Sequence, residues 1–414
     1  MRYFDNSPFK TNKIKDLFIN SDTRNTNNSD EYLSVIRDVG VIKYSERSDS
    51  GNKTSDSPEK YKMVDVGDLV INPMNVTIGS VGVSEYSGCL SGVYLVLKPK
   101  TSVNSKYYHY LFHDKGFQKY LKTISYGIME IRESLNKTEF FQFKIPKPSV
   151  DEQKEIVSYL DKKTNQINEL IRKIEQKIEL LKEQRNSLIN QVVTKGLNHN
   201  VEMKDSGVEW IREIPSHWTK SKVRYITKDH RQGYYSSDDY TEKGLRVVRI
   251  TDLNNDRSID TKNSPFYELN DLEKENFLLK NGDFLFPRTG GVGRFGIFHS
   301  FEPCIYGSFL IRFRFTERVT NKYLRYYFDS ELYLNQILSK IHGGVNQNVH
   351  VDNIKECKIF YPNKNEQEQI VEYLDDQTQK IDEIILNEEK RIKFLMEYKK
   401  SLISEVVTGK KRVV

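Results

Sequence analysis

The feature of this sequence that most limits its fold is an internal repeat of one long segment. Residues 151–161, DEQKEIVSYLD, recur 214 positions later as residues 365–375, NEQEQIVEYLD. The same offset relates residues 187–189, SLI, to residues 401–403, so no residue has been inserted or lost within the segment. A repeat of this length indicates a duplicated architectural unit rather than a local motif. The chain is therefore predicted to consist of two halves with similar ends.

Each copy of the repeated segment has the apolar periodicity of a coiled-coil helix. Apolar residues recur with spacings of four and three from Val157 to Val192 and again from Val371 to Val406, which is the pattern of an a/d heptad seam. Two polar interruptions of the seam coincide in the two copies: Thr164 with Thr378 and Arg185 with Lys399. Both copies are therefore predicted to form the same long helix.

A helix of about 40 residues is roughly 60 Å long and needs a partner along its apolar seam. Because the chain holds two near-identical seams, the economical partner of one is the other, and a pseudo-two-fold repeat would make the two antiparallel. Ser149 with Glu152 and Asn363 with Glu366 have capping-box spacing just before the two helices. This packing would hold two domains a fixed distance apart.

The segment before each helix combines short β-branched and aromatic runs with Gly-rich turns and one helix, which is typical of an α+β domain. The predicted fold class is α+β, with two α/β domains joined by two long antiparallel coiled-coil helices in a pseudo-two-fold repeat. The predicted boundaries are 1–148 for the first domain, 149–196 for the first helix, 197–217 for a linker and the entry to the second domain, 218–362 for the second domain and 363–414 for the second helix.

Composition limits the environment of the chain. Its three cysteines, Cys89, Cys304 and Cys357, are far apart, which argues against a disulfide framework or a zinc knuckle and favours a reducing compartment. No stretch approaches the roughly 20 apolar residues that cross a bilayer, and the amino terminus has no apolar signal region. The expected location is the cytoplasm, with no membrane partner. The net charge of +6 permits nucleic-acid binding without demanding it.

Three motifs together resemble those of the specificity (S) subunits of type I restriction-modification systems. Residues 208–218, VEWIREIPSHW, resemble the family's entry to a target recognition domain. Residues 283–293, DFLFPRTGGVG, resemble its central strand and Gly-rich loop, and the pattern Pro-x-x-x-Glu-Gln-x-x-Ile-Val before each long helix resembles the start of its conserved helices. Each motif is weak alone, but jointly they are specific. The resemblance covers essentially the whole chain.

The resemblance implies two target recognition domains, each reading one half of a split site in double-stranded DNA, with the helices setting the unread spacer. It also implies two methyltransferase subunits that use S-adenosylmethionine and motor-nuclease subunits that use ATP and magnesium. The cofactors would belong to those partners, and this chain would hold none and perform no catalysis. The first half departs from the family pattern, since it lacks a lead like that around Trp210 and has Asn72-Pro73-Met74-Asn75 where the second half has Arg288-Thr289-Gly290. The two domains are expected to read different bases.

Base readout requires side chains with paired donors and acceptors on loops that reach a groove. Loops rich in Gly, Asn and Arg occur at matching positions in both halves, although such loops are often simple turns. The candidate DNA-contacting residues of the first half are Asn72, Met74, Asn75, Thr77, Ser125, Tyr126 and Arg132. Those of the second half are Arg231, Gln232, Tyr234, Tyr235, Arg288, Thr289, Arg294, Asn346, Gln347 and Asn348.

Other functional classes have weaker support in the sequence. His109 and His113 have the i, i+4 spacing of metal ligands but no third ligand nearby, and are expected at a helix surface. Residues 72–75, NPMN, resemble the Asn-Pro-Pro-aromatic motif of amino-methyltransferases but lack the second proline and the aromatic residue, and the sequence has no P-loop. The alternative to a DNA reader is a structural coiled-coil scaffold that ignores DNA sequence. Such a scaffold would not need two domains with matched loops.

Overall fold

The computed structural model describes residues 3–4, 7–26, 31–47, 58–126, 134–237, 239–341 and 348–413. The chain divides into two compact units, which we call unit 1 and unit 2. Unit 1 contains residues 1–175 and 388–414, and unit 2 contains residues 176–387. Each long helix thus contributes one end to each unit, so the units do not follow the linear order of the chain.

Unit 1 contains twelve of the described strands and four short helices, and the first long helix begins there. The strands are β1 (Thr11–Lys13), β2 (Phe18–Ser21), β3 (Leu33–Ile36), β4 (Gly40–Lys43), β5 (Lys62–Val64), β6 (Leu69–Ile71), β7 (Val81–Val83), β8 (Gly88–Leu90), β9 (Leu95–Pro99), β10 (Ser125–Tyr126), β11 (Ser134–Leu135) and β12 (Lys144–Pro146). The helices are α1 (Ile14–Leu17), α2 (Ser105–His113), α3 (Lys115–Leu121), α4 (Lys137–Gln142) and the long α5 (Val150–Lys195).

Unit 2 contains the remaining described strands and helices. The strands are β13 (Met203–Asp205), β14 (Glu213–Pro215), β15 (Thr219–Lys222), β16 (Thr227–Gln232), β17 (Leu245–Val248), β18 (Phe266–Tyr267), β19 (Phe284–Pro287), β20 (Gly296–Ile297), β21 (Cys304–Tyr306), β22 (Leu310–Phe315) and β23 (Lys358–Tyr361). The helices are α6 (Val223–Ile226), α7 (Asp271–Phe277), α8 (Asn321–Asp329), α9 (Glu331–Leu338), α10 (Val351–Lys355) and the long α11 (Lys364–Val407), which ends in unit 1.

Both units are built on the same four-stranded antiparallel sheet, as the repeat predicts. The strand order is β2-β9-β6-β7 in unit 1 and β16-β22-β19-β20 in unit 2. The strand that opens each domain pairs with the strand before the long helix, β1 with β12 and β15 with β23. This pairing brings the two ends of each domain together at the start of the helix.

The two domains differ in the strands that flank the shared sheet. Unit 1 adds two small antiparallel pairs, β3-β4 and β5-β8. Unit 2 adds a three-stranded sheet in which β17 pairs antiparallel with β18 and parallel with β21. The sequence divergence of the front halves therefore corresponds to different flanking structures on one common core.

The two long helices pack through the predicted seams and run antiparallel. Every seam position from Val157 to Val192 and from Val371 to Val406 is buried or half-buried. In unit 1 the core joins Leu160, near the start of α5, to Val406, near the end of α11. In unit 2 the core joins the end of α5 to the start of α11. The start of one helix thus lies beside the end of the other in each unit, which confirms the predicted orientation.

Beside the first polar residue of each seam, a tyrosine of the domain bonds to the long helix. In unit 1 the Tyr110 hydroxyl donates to Asp161 Oδ1 at 2.6 Å and lies 3.3 Å from Thr164 Oγ1. In unit 2 the hydroxyl of Tyr326 makes the same contacts with Asp375 (2.5 Å) and Thr378 (3.3 Å). The threonine hydroxyls themselves donate within the helix, Thr164 to the Leu160 carbonyl and Thr378 to the Leu374 carbonyl. The tyrosine–aspartate bond beside each threonine is therefore what attaches the helix to its domain.

The predicted capping box forms completely only at α5. Ser149 N–H donates to Glu152 Oε2, and Glu152 N–H donates to Ser149 Oγ. At α11 the side chain of Asn363 accepts from Glu366 N–H, but the Glu366 carboxylate is bonded elsewhere. It accepts from Trp218 Nε1 and lies 2.9 Å from His217 Nε2. The second domain's entry motif is thereby fixed to the start of the helix.

The structure corrects the expectation that His109 and His113 lie at a helix surface. Both lie on α2 and are largely buried, with ring centroids 4.3 Å apart and His113 Nδ1 2.9 Å from the His109 carbonyl. Within the described ranges, no group of three metal-ligating side chains occurs. Of the helices that the structure describes, none has the length and apolar character that crossing a membrane requires.

The buried His109 is expected to make unit 1 sensitive to acid. Burial, with smaller contributions from His113 and Lys106, lowers the pKa of His109 from 6.5 to about 3. Below pH 6.5 the His109 side chain binds a proton in the unfolded chain, whereas in the folded chain it stays neutral until the pH approaches 3. The free energy of unfolding therefore falls as the pH falls from 6.5 toward 3. At pH 5 the expected loss is about 2 kcal/mol. Urea unfolding at pH 7.5 and pH 5 should show a smaller difference for His109→Gln than for the wild type, and equal differences would contradict this assignment.

Candidate nucleic-acid interface

In unit 1 the loop after β6 carries four of the predicted residues and is internally fixed. Asn72 follows the strand directly, and its Oδ1 accepts from Met74 N–H at 3.1 Å. The loop closes through Ser80 N–H, which donates to the Asn75 carbonyl at 3.0 Å. Asn72 is buried, whereas Met74 and Asn75 are exposed and Thr77 is half-buried. The loop therefore presents its polar groups from a rigid backbone.

The second predicted segment of the first half lies against this loop. Ser125 and Tyr126 form β10, which pairs with β11, and Leu135 N–H of β11 donates to the Pro73 carbonyl at 3.0 Å. The Ser125 hydroxyl donates to the Leu121 carbonyl at 3.1 Å, so it serves the preceding helix end. Arg132 lies outside the described residues. Backbone pairing thus joins the two predicted segments of unit 1.

The predicted loops of unit 2 meet in the same way. Val349 N–H donates to the Arg288 carbonyl at 2.7 Å, and Thr289 forms an antiparallel bridge with Asn348. Asn346 and Gln347 lie outside the described residues. Across the described residues, the half-buried guanidinium of Arg288 makes no hydrogen bond or ion pair. The Gly-rich loop and the end of the Asn-rich loop therefore form one surface.

Arg294, at the end of the Gly-rich loop, faces inward. Its guanidinium donates to the Leu253 carbonyl at 2.7 Å, and its own N–H closes a turn on the Gly291 carbonyl. Gly290 and Gly293 have φ values of +65° and +77°, which side chains other than glycine rarely adopt. Arg294 thus shapes the loop, while the guanidinium of Arg288 at its start has no such bond among the described residues.

The basic and aromatic turn after β16 forms a separate part of the unit 2 surface. Arg231 and Gln232 are exposed, and the Gln232 amide donates to the Ser308 carbonyl at 3.2 Å. The Tyr234 ring packs edge-on against Tyr267, with centroids 5.6 Å apart. Tyr235 is 77% exposed. Of these residues, Tyr235 and Arg231 are the most available to a partner, while Tyr234 supports the turn.

Buried charges fix the strand that carries Arg231. Opposite it in β22 lies Arg312, which is 2% exposed and donates to Asp229. Farther along the same face of β22, Arg314 Nε donates to Asp283 Oδ1 at 2.7 Å, and this carboxylate raises the pKa of the Arg314 guanidinium. Charge-assisted bonds of this kind are stronger than neutral ones. The Arg312–Asp229 pair therefore reinforces the pairing of β16 with β22, and the Arg314–Asp283 pair joins β22 to the residue that precedes β19.

Unit 1 also contains a cavity that sequence reasoning missed. Its volume is about 660 Å³, and the predicted residues Asn72, Met74 and Asn75 line it. The other lining side chains include four tyrosines and two arginines: Tyr32, Tyr44, Tyr61, Tyr94, Arg37 and Arg47. These residues come from separate strands and turns, so no local spacing marks them. The short sequence Tyr44-Ser45-Glu46-Arg47, which places one aromatic and one basic residue three positions apart, is a weak local signal.

Comparison with known proteins identifies the family. The family model described as "Type I restriction modification DNA specificity domain" matches residues 6–180 and again residues 215–393. The MjaVIII type I restriction enzyme specificity subunit of Methanocaldococcus jannaschii is 28% identical over 343 residues, which cover 79% of this chain and 75% of that protein. The two matches of the model fall on the two halves that the internal repeat defines.

Solved structures share the fold. A chain from a structural study of complex assembly in a type I restriction-modification system matches with a TM-score of 0.76 at 15% identity, covering 97% of this chain and 98% of that one. The crystal structure of the HsdS subunit from Thermoanaerobacter tengcongensis matches with a TM-score of 0.58 at 15% identity, covering 97% of both chains. With two copies of the family's domain on matched helices, this chain belongs to the DNA specificity subunits of type I restriction-modification systems.

Proposed function

We propose that the two domains of this chain read the two halves of a split DNA site. The supporting observation is that both units carry the same sheet and the same pair of joined loops, but with different polar side chains. Unit 1 exposes Asn75 there, and unit 2 exposes Asn348 beside the half-buried Arg288. Carboxamides suit adenine, whereas a guanidinium suits guanine. One scaffold with two sets of readers is what two different half-sites require.

The helices are proposed to set the length of the unread spacer. An α-helix rises 1.5 Å per residue, and the paired seams fix how far one helix can slide along the other. Arg185 of α5 also forms ion pairs with Asp329 and with Asp382 of α11. Within unit 2 these pairs help to fix the register of α5 against α11. The distance between the two domains is then a property of helix length.

The outer faces of the helices are proposed to dock two copies of one methyltransferase subunit. Leu180 and Phe394 occupy the same position in the two copies of the repeat, and they are 64% and 66% exposed. A single exposed apolar side chain is common on a protein surface, and what supports the proposal is that this one recurs at the same position of both helices. A duplicated apolar position suits a partner that binds twice.

The remaining assembly is proposed to follow the family pattern. Motor-nuclease subunits would complete the complex, and S-adenosylmethionine, ATP and magnesium would bind to the partners, leaving this chain without cofactor or catalytic step. The complex would act in the cytoplasm. In this proposal the chain recognises DNA and its partners carry out the reactions. The joined loops support the first part, since their side chains suit hydrogen bonding to bases.

A methylome tests the proposal directly. Cells that carry the intact system are expected to show one split methylated motif with a constant spacer, and cells that lack this chain should lose the motif. The measurement is single-molecule sequencing of modified adenines in the two strains. Methylation without a motif, or a motif independent of this chain, would instead support the scaffold alternative.

Arg288→Ala is expected to relax recognition at one base of the half-site read by unit 2. A bidentate arginine contact contributes about 1–3 kcal/mol of discrimination, so binding to the preferred base should weaken by at least about fivefold. Binding to DNA with that half-site randomised measures the change. Arg294→Ala is the matched control, because its guanidinium binds Leu253, so it should lower stability without removing a base contact. Unchanged preference in Arg288→Ala would exclude this role.

A further inference from the structure

The cavity of unit 1 has the size of a ligand site and walls made of aromatic rings. Its volume of about 660 Å³ lies within the roughly 300–1,000 Å³ typical of small-ligand pockets. Tyr32 and Tyr61 meet edge to face with centroids 5.5 Å apart, and the Arg47 guanidinium lies over the Tyr44 ring at 5.3 Å. Rings and guanidinium planes are the surfaces on which unstacked bases stack.

The cavity also offers a fixed hydrogen-bonding edge. Asn72 is 8% exposed and lines the cavity, and its Oδ1 is occupied by Met74 N–H. The amide is thereby held with Nδ2 as its donor. Ser34 and Ser80 also line the cavity, and Ser80 Oγ donates to the Val35 carbonyl at 3.5 Å. Aromatic walls with a few oriented polar groups are suited to a planar heterocycle with donors and acceptors along one edge.

The position of the cavity favours a DNA base over a free heterocycle. Three of its lining residues, Asn72, Met74 and Asn75, belong to the loop that we propose to face DNA. The base edge used in Watson-Crick pairing becomes available only when the base leaves the helix, and stacking on aromatic side chains compensates for the lost stacking in DNA. A cavity that opens beside the reading loop can take such a base directly.

The aromatic residues of unit 2 are arranged differently. Tyr234 packs against Phe277 with centroids 5.3 Å apart, and Tyr240 packs against Tyr267 at 5.0 Å. The rings of unit 2 pack in pairs, whereas the tyrosines of unit 1 line one cavity, two of them, Tyr32 and Tyr61, being packed edge to face as well. The second domain therefore provides an internal comparison for the first.

We propose that unit 1 binds one unstacked DNA base of its half-site in this cavity, with Tyr44 and Arg47 along one wall and Asn72 at the hydrogen-bonding edge. The inference rests on the proposed function, since it assumes that this domain reads a half-site. The base is separate from the adenine that the methyltransferase partner would take out of the helix for methylation. Recognition by unit 1 would then combine contacts in the groove with the fit of one extrahelical base.

Fluorescent base analogues test the proposal on the assembled complex of this chain with its methyltransferase partners. The relevant half-site is the one that Arg288→Ala does not alter. Each adenine in it is replaced in turn by 2-aminopurine, each cytosine by pyrrolocytosine and each guanine by 6-methylisoxanthopterin, whose emission rises on unstacking, and unstacked thymines are detected by their reaction with permanganate. In this half-site we expect one unstacked base in addition to any adenine that is taken out for methylation. In the other half-site we expect no unstacked base beyond such an adenine.

Variants identify the cavity as the binding place. Tyr44→Ala should abolish the additional signal and weaken binding by between about 5-fold and 100-fold, while Tyr44→Phe should retain both. Tyr86→Ala is the matched control, since this ring also lies under a cation, Lys43 at 5.4 Å, but lines a different cavity. It should leave the signal unchanged.

The outcomes separate this inference from the proposed function. Binding to a split site with no unstacked base other than the methylated adenine overturns the inference and leaves the proposed function standing. An additional unstacked base that persists in Tyr44→Ala also overturns it, because the base then binds elsewhere. Saturable binding of free deoxyadenosine that Tyr44→Ala removes, without base unstacking, would assign the cavity to a small molecule instead. Absence of any split site would contradict the proposed function itself.

Discussion

Insertion of one heptad into each long helix is expected to lengthen the unread spacer by about three base pairs and to leave both half-sites unchanged. Seven residues add about 10 Å of helix, and base pairs of DNA are spaced about 3.4 Å apart along the axis. Suitable points are the junctions 175/176 and 387/388, where each helix passes from one unit to the other. A heptad preserves the register of the seam on both sides of the insertion. The modified motif, read from the methylome, measures the result.

The control for this experiment replaces seven residues at the same junctions instead of adding them, and it should retain the original spacer. A changed half-site in the heptad variant would contradict the proposal that the domains alone recognise the bases and the helices alone set the spacer length. Because an added segment also rotates one domain about the helix axis, a spacer that changes by two or four base pairs agrees with the proposal. An unchanged spacer does not.

Loss of the carboxylate in Asp329→Asn is expected to destabilise unit 2 by about 2–4 kcal/mol, slightly less than the loss of a fully buried ion pair. Asp329, at the end of α8, is 12% exposed and accepts from Arg185 of α5 at 3.3 Å and from Arg257 Nε at 2.8 Å. Without it, two arginines of low exposure lose a shared counter-charge. Arg257 has a φ of +72°, so the same carboxylate also holds a strained backbone position. Denaturant unfolding of the full chain measures the effect.

Asp376→Asn serves as the matched control for this variant. Asp376 also pairs with a cation, Lys380 at 2.6 Å, but both side chains are more than half exposed. Exposed pairs of this kind contribute little, so the unfolding midpoint should not move measurably. If both variants unfold at the wild-type midpoint, the proposed link between helix and second domain is not a stabilising one.

The local patterns in the sequence predicted the helices and the duplication well. Heptad spacing is a property of consecutive residues, and it predicted a seam whose positions are all buried or half-buried. The spacing of Ser149 and Glu152 similarly predicted a cap that forms. The antiparallel orientation was predicted because two near-identical apolar seams in one chain can bury each other, and a pseudo-two-fold repeat makes the two helices antiparallel. These inferences held because each depended on neighbouring residues or on the repeat itself.

The candidate interface was predictable only in part. The sequence marked both pairs of loops that the structure joins, because glycine, asparagine and arginine recur there at matching positions. It did not distinguish Arg294, whose guanidinium binds the Leu253 carbonyl, from Arg288, which makes no such bond among the described residues. Nor did it predict that His109 is largely buried, since its neighbours there come from other parts of the fold. Such distinctions depend on contacts between distant residues.

The sequence by itself therefore determined the duplicated architecture, the long helices and the family of the chain. The tertiary structure alone decided what equivalent positions do. Arg185 and Lys399 match in the repeat, yet Arg185 pairs with Asp329 and Asp382 in unit 2, while Lys399 donates to Asn168 at 2.8 Å in unit 1. The cavity of unit 1 likewise exists only because strands far apart in sequence bring its tyrosines together. Periodicity is local, whereas a site is made by partners that the chain brings together from a distance.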